Sequence, residues 1–306
     1  MKPRSLPSGK ATNRKFVMSG FMTWLGLAAD PNANHDTSLV TIVKRGILAS
    51  QEGDLKRAQQ ILHLGLRQAS DMGDQSAVNH IFCLLAEVSL QMEQYGESER
   101  LYTEVLKRIL SNGEQEDSNA VVDISIKLAH ISAVREDFVK AETGFKFCVE
   151  SQEAKVEKLG AEVDEDTLAL YGVSLDRYAQ FLASRERLSE AETLYKKGIN
   201  VANQVLGVDH EQTLVIQNSL ATVLSMQGKF KQAEDILTDI IHLAEKSNSQ
   251  YLSTFLINRG VNKIMSGLGK SGESDCARAK SIAKGYDMAE TIQEADDCLE
   301  KARMAY

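Results

Sequence analysis

The chain has 306 residues, 43% of them hydrophobic and 25% charged, a composition that excludes wholesale disorder and allows a large core. No apolar run approaches the ~20 residues of a spanning helix, which excludes a polytopic membrane protein. The net charge of −8 is split: residues 1–29 hold Lys2, Arg4, Lys10, Arg14 and Lys15 and no acid, leaving −13 on the remainder. An acidic body does not suit phosphate backbones, so nucleic acid is not an expected partner.

The basic head, with Ser5, Ser8 and Ser19 and no acid, reads as an organellar transit peptide. Behind it runs the apolar segment Phe16–Ala29, which contains the only tryptophan, Trp24. As a helix it would span ~21 Å against a hydrocarbon core of ~30 Å. That suits a leader or an interfacial anchor better than a regular span. Residues 1–30 are therefore read as a targeting and anchor segment, and residues 38–305 as one repeat domain.

The body contains no proline after Pro31. With Ala, Leu, Glu, Lys and Gln abundant, this predicts helix throughout. The body also carries a recurring skeleton. Its first copy is Arg45-Gly46, Ala49, Gly53, Leu55, Ala58, Leu62. The second is Leu85-Ala86, Ser89, Glu93, Tyr95, Ser98, Tyr102, and the third Leu128-Ala129, Ser132, Glu136, Phe138, Ala141, Phe145. The fourth is Tyr178-Ala179, Leu182, Glu186, Leu188, Ala191, Tyr195, and the fifth Leu220-Ala221, Leu224, Gly228, Phe230, Ala233, Leu237. Small residues in each helix permit close crossing, a turn residue separates the helices, and a large residue fills the gap. One such pair cannot bury its own apolar face, so the copies must stack.

The skeleton resembles the tetratricopeptide repeat, a helix–turn–helix unit of about 34 residues. The expected fold is all-α, a right-handed superhelix of stacked tetratricopeptide repeats: five clear copies, a degenerate sixth and a capping helix near 289–305. The second-helix small residues recur at intervals of 40, 43, 50 and 42, so the units are long. The widest interval holds Glu162–Asp166, read as an exposed acidic loop. Ser266–Ser274 is read as a glycine-rich loop. Its GxGxxG string, Gly267 to Gly272, lacks the preceding strand that phosphate cradling requires.

The four cysteines form no CxxC pair, and a disulfide framework is not expected in a chain this long; a reducing compartment fits better. The six histidines show no ligand spacing, so no metal and no cofactor are expected. His130 and Glu87, on successive first helices, have the chemistry of a base and its orienter, but no nucleophile accompanies them, and no catalytic residue is assigned.

First helices of such repeats line the concave face. Spacing places His80, Glu87, Gln91, Asp123, His130, Asp176, Gln180, Ser184, Asn218, Thr222 and Ser225 on it. This polar stripe with several acids predicts a partner segment that is basic or rich in backbone donors.

Glu116–Ala129 with Gly144–Val149, Ala58–Ala69 and Asp176–Leu182 resemble the mitochondrial tetratricopeptide repeat protein 19 family, in one register from about residue 40 to 260. The resemblance implies a non-catalytic mitochondrial inner-membrane protein. Its implied partners are subunits of respiratory complex III (ubiquinol–cytochrome c reductase), and its implied role is to support that complex's assembly and integrity. That role includes clearing fragments of the Rieske subunit. A second resemblance, Gly207–Thr213 before a repeat, is to kinesin light chains and implies a cytosolic peptide-binding adaptor.

Overall fold

The structure, a computed structural model, describes residues 38–304. The expected targeting and anchor segment, with Phe16–Ala29 and Trp24, lies outside the described residues. The chain divides after Ala161 into two compact units. The first contains α1 (Leu39–Gln51), α2 (Leu55–Asp71), α3 (Gln75–Gln91), α4 (Tyr95–Ser111), α5 (Asn119–Val134) and α6 (Phe138–Leu159). The second contains α7 (Glu165–Ser184), α8 (Leu188–Val205), α9 (Glu211–Met226), α10 (Phe230–Lys246), α11 (Leu252–Met265), α12 (Gly269–Gly285) and α13 (Ala289–Met304). Among the described residues there is no strand, and no helix is long and apolar enough to cross a membrane.

Many of the helices begin where a polar side chain satisfies the first backbone donors, whereas α4, α8, α10, α11 and α12 have no side-chain cap. Asp74 accepts from the Ala77 amide at 2.9 Å and Asp164 from the Thr167 amide at 2.7 Å, and Asp54, Ser118 and Asp137 act likewise, as N-cap residues do. The acidic stretch read as a loop is therefore mostly a helix start. A single 3₁₀ turn, Gly160–Glu162, precedes Asp164, and Glu165 and Asp166 sit in the first turn of α7, where the helix dipole favours negative charge.

The turns inside the helix pairs are built alike. Each has three residues, and the third donates its amide to a carbonyl five residues back: Asp54 to Ala49, Gln94 to Ser89, Asp137 to Ser132, Arg187 to Leu182, Lys229 to Leu224 and Leu268 to Lys263, all at 2.8–3.0 Å. This Schellman closure requires a left-handed middle residue. Gly53 and Gly228 take φ of 85° and 77°, while Glu93, Glu136 and Glu186 adopt φ of 60°, 64° and 61°. The glutamates bear a steric cost there that glycine escapes. The sixth pair closes in the same way at Gly267 (φ 88°). The glycine-rich loop expected over 266–274 is thus a correction: only Ser266–Leu268 is turn, and α12 begins at Gly269.

The skeleton's small residues mark the crossings. Ala58, Ser98, Ala141, Ala191 and Ala233 are fully buried, and Ser98 Oγ donates to the Ala86 carbonyl at 2.8 Å. A Cβ on Gly144 would lie 2.8 Å from Ala129 Cβ, so α5 and α6 approach as closely as their atoms allow. Tyr102, Phe145 and Tyr195 fill the gaps beside these crossings and are buried. In the first unit one continuous apolar cluster runs from Val43 through Ile81, Leu85, Leu101, Tyr102 and Ile109 to Ile131.

The last helices of the second unit differ. Gly260 on α11 faces Gly272 on α12, and a Cβ on Gly272 would lie 2.6 Å from the Gly260 carbonyl. The GxGxxG string thus supplies a helix crossing. Beside it, Asp275 receives both arms of Arg259 at 2.8 Å and Lys263 at 2.8 Å. Cys276 and Cys298 form a disulfide between α12 and α13, which corrects the expectation of reduced thiols. Cys83 and Cys148, in the first unit, are buried and free.

Candidate functional site

In the first unit the expected stripe comes from α3 and α5. Glu87 accepts a hydrogen bond from Tyr102 Oη at 3.2 Å, and Lys127 pairs with Asp123 while its ammonium lies 5.9 Å from the Tyr102 ring. Four side chains thus join into one polar cluster, with Lys127 offsetting one of the two acids. Burial, and then the charge of Glu87, push the Tyr102 hydroxyl well above its ordinary pKa. Burial also pushes the Cys83 thiol up to about 12, so it is not a nucleophile at neutral pH. Gln91 accepts from Ser50 Oγ at 3.4 Å, tying α3 to the end of α1.

His80 is a correction. It is 3% exposed, and burial pulls its imidazole down to about 4, so it is a neutral core residue rather than a partner contact. Its position satisfies the stripe spacing, but the helix turns it into the seam. His130 is exposed, and the Glu87 carboxylate is engaged with Tyr102.

In the second unit Gln180 bridges two charges: its Nε2 donates to Asp176 at 2.7 Å and its Oε1 accepts from Arg177 at 3.2 Å. Burial raises the Asp176 carboxyl, opposed by Arg177 and Gln180. Ser184 is exposed at the end of α7 and donates to the Phe181 carbonyl. Thr222, half-buried, donates to the Asn218 carbonyl at 3.0 Å. Asn218 and Ser225 are 9% and 7% exposed and are used internally. Asn218 Oδ1 accepts from Asn258 at 2.9 Å, and Ser225 Oγ donates to Asn262 Oδ1 at 2.7 Å. They bind α9 to α11, so the expected positions left exposed or half-buried are Glu87, Gln91, Asp123 and His130 in the first unit and Asp176, Gln180, Ser184 and Thr222 in the second.

Several members of these networks escaped the sequence reading. Lys127 stands four residues after Asp123, the spacing at which helical side chains meet, and Arg177 follows Asp176 directly. Asn258 and Asn262 carried no signal, because their roles depend on the neighbouring repeat. A further recurrence was visible but unread: the fifth residue of a second helix is Glu99 in α4, Glu192 in α8 and Glu234 in α10. Each reaches forward to a cation of the next helix pair. Glu99 meets Arg135 and, at 2.5 Å, Lys140; Glu192 meets Lys229 at 2.8 Å; Glu234 meets Lys263 at 3.6 Å. The hydrogen bonds from Lys196 and Lys229 hold the Glu192 carboxyl at about 2.

Among the described residues no group of His, Cys, Asp and Glu is arranged to hold a metal ion. The arrangement presents half-buried carboxylates and amides on first helices, suited to accepting hydrogen bonds from a bound chain.

A tetratricopeptide repeat family model matches residues 167–246. The chain is 26% identical over 91% of its length to the mitochondrial tetratricopeptide repeat protein 19 homolog of Drosophila melanogaster, of which it spans 75%. It is 33% identical over 65% of its length to mitochondrial tetratricopeptide repeat protein 19 of Danio rerio, of which it spans 51%. Among solved structures, it is similar to a signal transduction ATPase with a tetratricopeptide repeat sensor from Pyrococcus horikoshii (TM-score 0.64, 11% identity, 91% of this chain and 41% of that one). It is also similar to kinesin light chain repeats from Podosopora anserina (TM-score 0.52, 16% identity, 69% of this chain and 96% of that one). The two structural likenesses establish the all-α tetratricopeptide fold. The sequence likeness, over most of the chain, bears out the resemblance to mitochondrial tetratricopeptide repeat protein 19.

Proposed function

We propose that the chain is a non-catalytic mitochondrial factor that binds respiratory complex III through its first-helix stripes and supports the complex's assembly and integrity. The observation that carries this reading is the similarity, over 91% of the chain, to a relative named as mitochondrial. The half-buried acids support the binding mode. Glu87, Asp123 and Asp176 are anchored by neighbours that fix their geometry, which lowers the ordering cost of gripping a peptide. A solenoid surface of this kind holds an extended segment, and its acids favour a basic or donor-rich one. Rieske-derived fragments on complex III are the proposed segment.

The address is part of the proposal. The basic, acid-free residues 1–29 direct import, and Phe16–Ala29 holds the protein at the inner membrane. Removing residues 1–30 is expected to leave the repeat body in the cytosol.

The test is a null cell line. Quinol–cytochrome c activity is expected to fall and Rieske fragments to accumulate, with the other respiratory complexes near normal. Restoration with a variant reversed in charge at Glu87, Asp123 and Asp176, shown folded by circular dichroism, is expected to fail and to lose complex III subunits in pull-downs. Normal activity without fragments in the null, or cytosolic residence of the full-length chain, overturns the reading in favour of the adaptor.

A further inference from the structure

The side chains that α13 buries fully in its seat are small, with Ile292 and Leu299 half-buried beside them. The residues α13 buries are Thr291, Ala295, Cys298 and Ala302. By contrast α4 buries Leu101, Tyr102, Val105 and Ile109 alongside Ser98. Hydrophobic stabilisation follows the apolar area removed from water, so packing holds α13 less tightly than α4. What the seat adds is an ion pair between Lys280 and Asp296 and a covalent bond. Cys276 and Cys298 are fully buried, and their Cα atoms stand 5.9 Å apart, within the range a disulfide needs. The site is also shaped for sulfur. A Cβ on Gly260 of α11 would lie 2.6 Å from Cys276 Sγ, so only glycine leaves room there, and Cys298 Sγ lies 3.9 Å from the Ile257 carbonyl on the same helix.

We propose that the Cys276–Cys298 disulfide is the staple that keeps α13 seated, and that its reduction is a redox-sensitive release of this helix. Formation consumes two thiols and one molecule of a disulfide oxidant such as oxidised glutathione. The two cysteine sulfurs join, and the oxidant leaves as two thiols carrying the two electrons and two protons. Reduction reverses this. Because both sulfurs are buried, a reductant reaches them only when α13 lifts locally. Once the bond is open, the constraint on the lifted state is gone. Closing a loop of this length restricts the open ensemble enough that reduction raises the open fraction of α13 by on the order of 100-fold. The first unit provides an internal control, since its cysteines, Cys83 and Cys148, are free.

The experiment uses the full chain equilibrated with oxidised glutathione, then denatured with N-ethylmaleimide and weighed by intact mass spectrometry. Two adducts, mapped to Cys83 and Cys148, are expected, and four adducts overturn the proposal. Hydrogen exchange of the native protein follows, with and without dithiothreitol. Protection over residues 289–304 is expected to drop on the order of 100-fold on reduction, with α1–α6 unchanged. The double variant C276S/C298S is expected to show the reduced pattern under both conditions. Equal protection of α13 before and after reduction overturns the staple even if the bond forms.

Discussion

The first unit and the α11–α13 segment of the second hold helices together by different means. From Val43 to Ile131 the seams carry large aliphatic and aromatic side chains together with small ones such as Gly46, Ala58, Gly65 and Ala69. In α11–α13, Phe255, Leu256 and Ile257 are buried on α11, while the buried side chains of α12 and α13 are mostly small: Gly260 meets Gly272, and Ala279, Ala283, Ala295 and Ala302 follow. Specific bonds supplement volume there. Asp275 gathers Arg259 and Lys263, and the disulfide ties α13. Volume-filled seams tolerate a change of conditions, because burial of apolar area responds little to pH or redox state. Seams made of ion pairs and sulfur respond to both. One repeat motif therefore yields a part held chiefly by apolar volume and a part that adds a buried ion-pair cluster and a disulfide, and the second answers more strongly to pH and redox state.

The sharpest way to break the comparison is Phe145→Ala. Phe145 is fully buried between α5 and α6, so truncation leaves a cavity and is expected to cost about 3–5 kcal/mol, read as a fall in the urea midpoint. A loss equal to that of an exposed residue would show that volume does not hold the first unit. Next comes Arg259→Met. Asp275 would keep Lys263 but lose its bidentate partner, so a loss of about 2 kcal/mol is expected, less than the ~3–5 kcal/mol of removing a sole partner. Burial works to raise the Asp275 carboxyl, but the hydrogen bonds from Arg259 and Lys263 outweigh it and hold it below its usual value. A depressed carboxyl contributes stability that is present above its unfolded pKa, near 3.8, and is lost as pH falls through the folded one. The wild-type segment is therefore expected to loosen on acidification below about pH 4, and R259M to show a shallower pH dependence in hydrogen exchange of α11 and α12. The smallest expected effect is favourable. Glu136→Gly relieves the left-handed strain at φ 64° and is expected to stabilise by about 0.5–1 kcal/mol, visible as a raised melting temperature.

The sequence made the helices and most turns legible because they rest on local rules: absence of proline, capping residues and a recurring skeleton. Tyr102, Phe145 and Tyr195 fell where the skeleton put them for the same reason. Ser266–Ser274 misled because glycine in a string suggests a turn, whereas Gly272 serves close helix approach, a property of the partner helix and not of the string. The Cys276–Cys298 pair was hidden because disulfide partners are decided by how two helices meet. The site was half legible. Polar first-helix positions were found, but which of them stay open depends on burial. His80 and Asn218 satisfy the same spacing as Glu87 and Thr222 yet point into seams.

The glutamates that reach forward from the second helices change what counts as an interchangeable part. Glu192 on α8 and Lys229 in the following pair make one joint, so the joint is divided wherever a sequence repeat is cut at its own first residue. A segment running instead from α8 through the turn at Lys229 carries both halves of the joint. Recombination or deliberate transplantation of repeats within such a scaffold should succeed when the exchanged segment is framed in this offset way, and should leave Glu192 with Lys196 alone when it follows the sequence repeat.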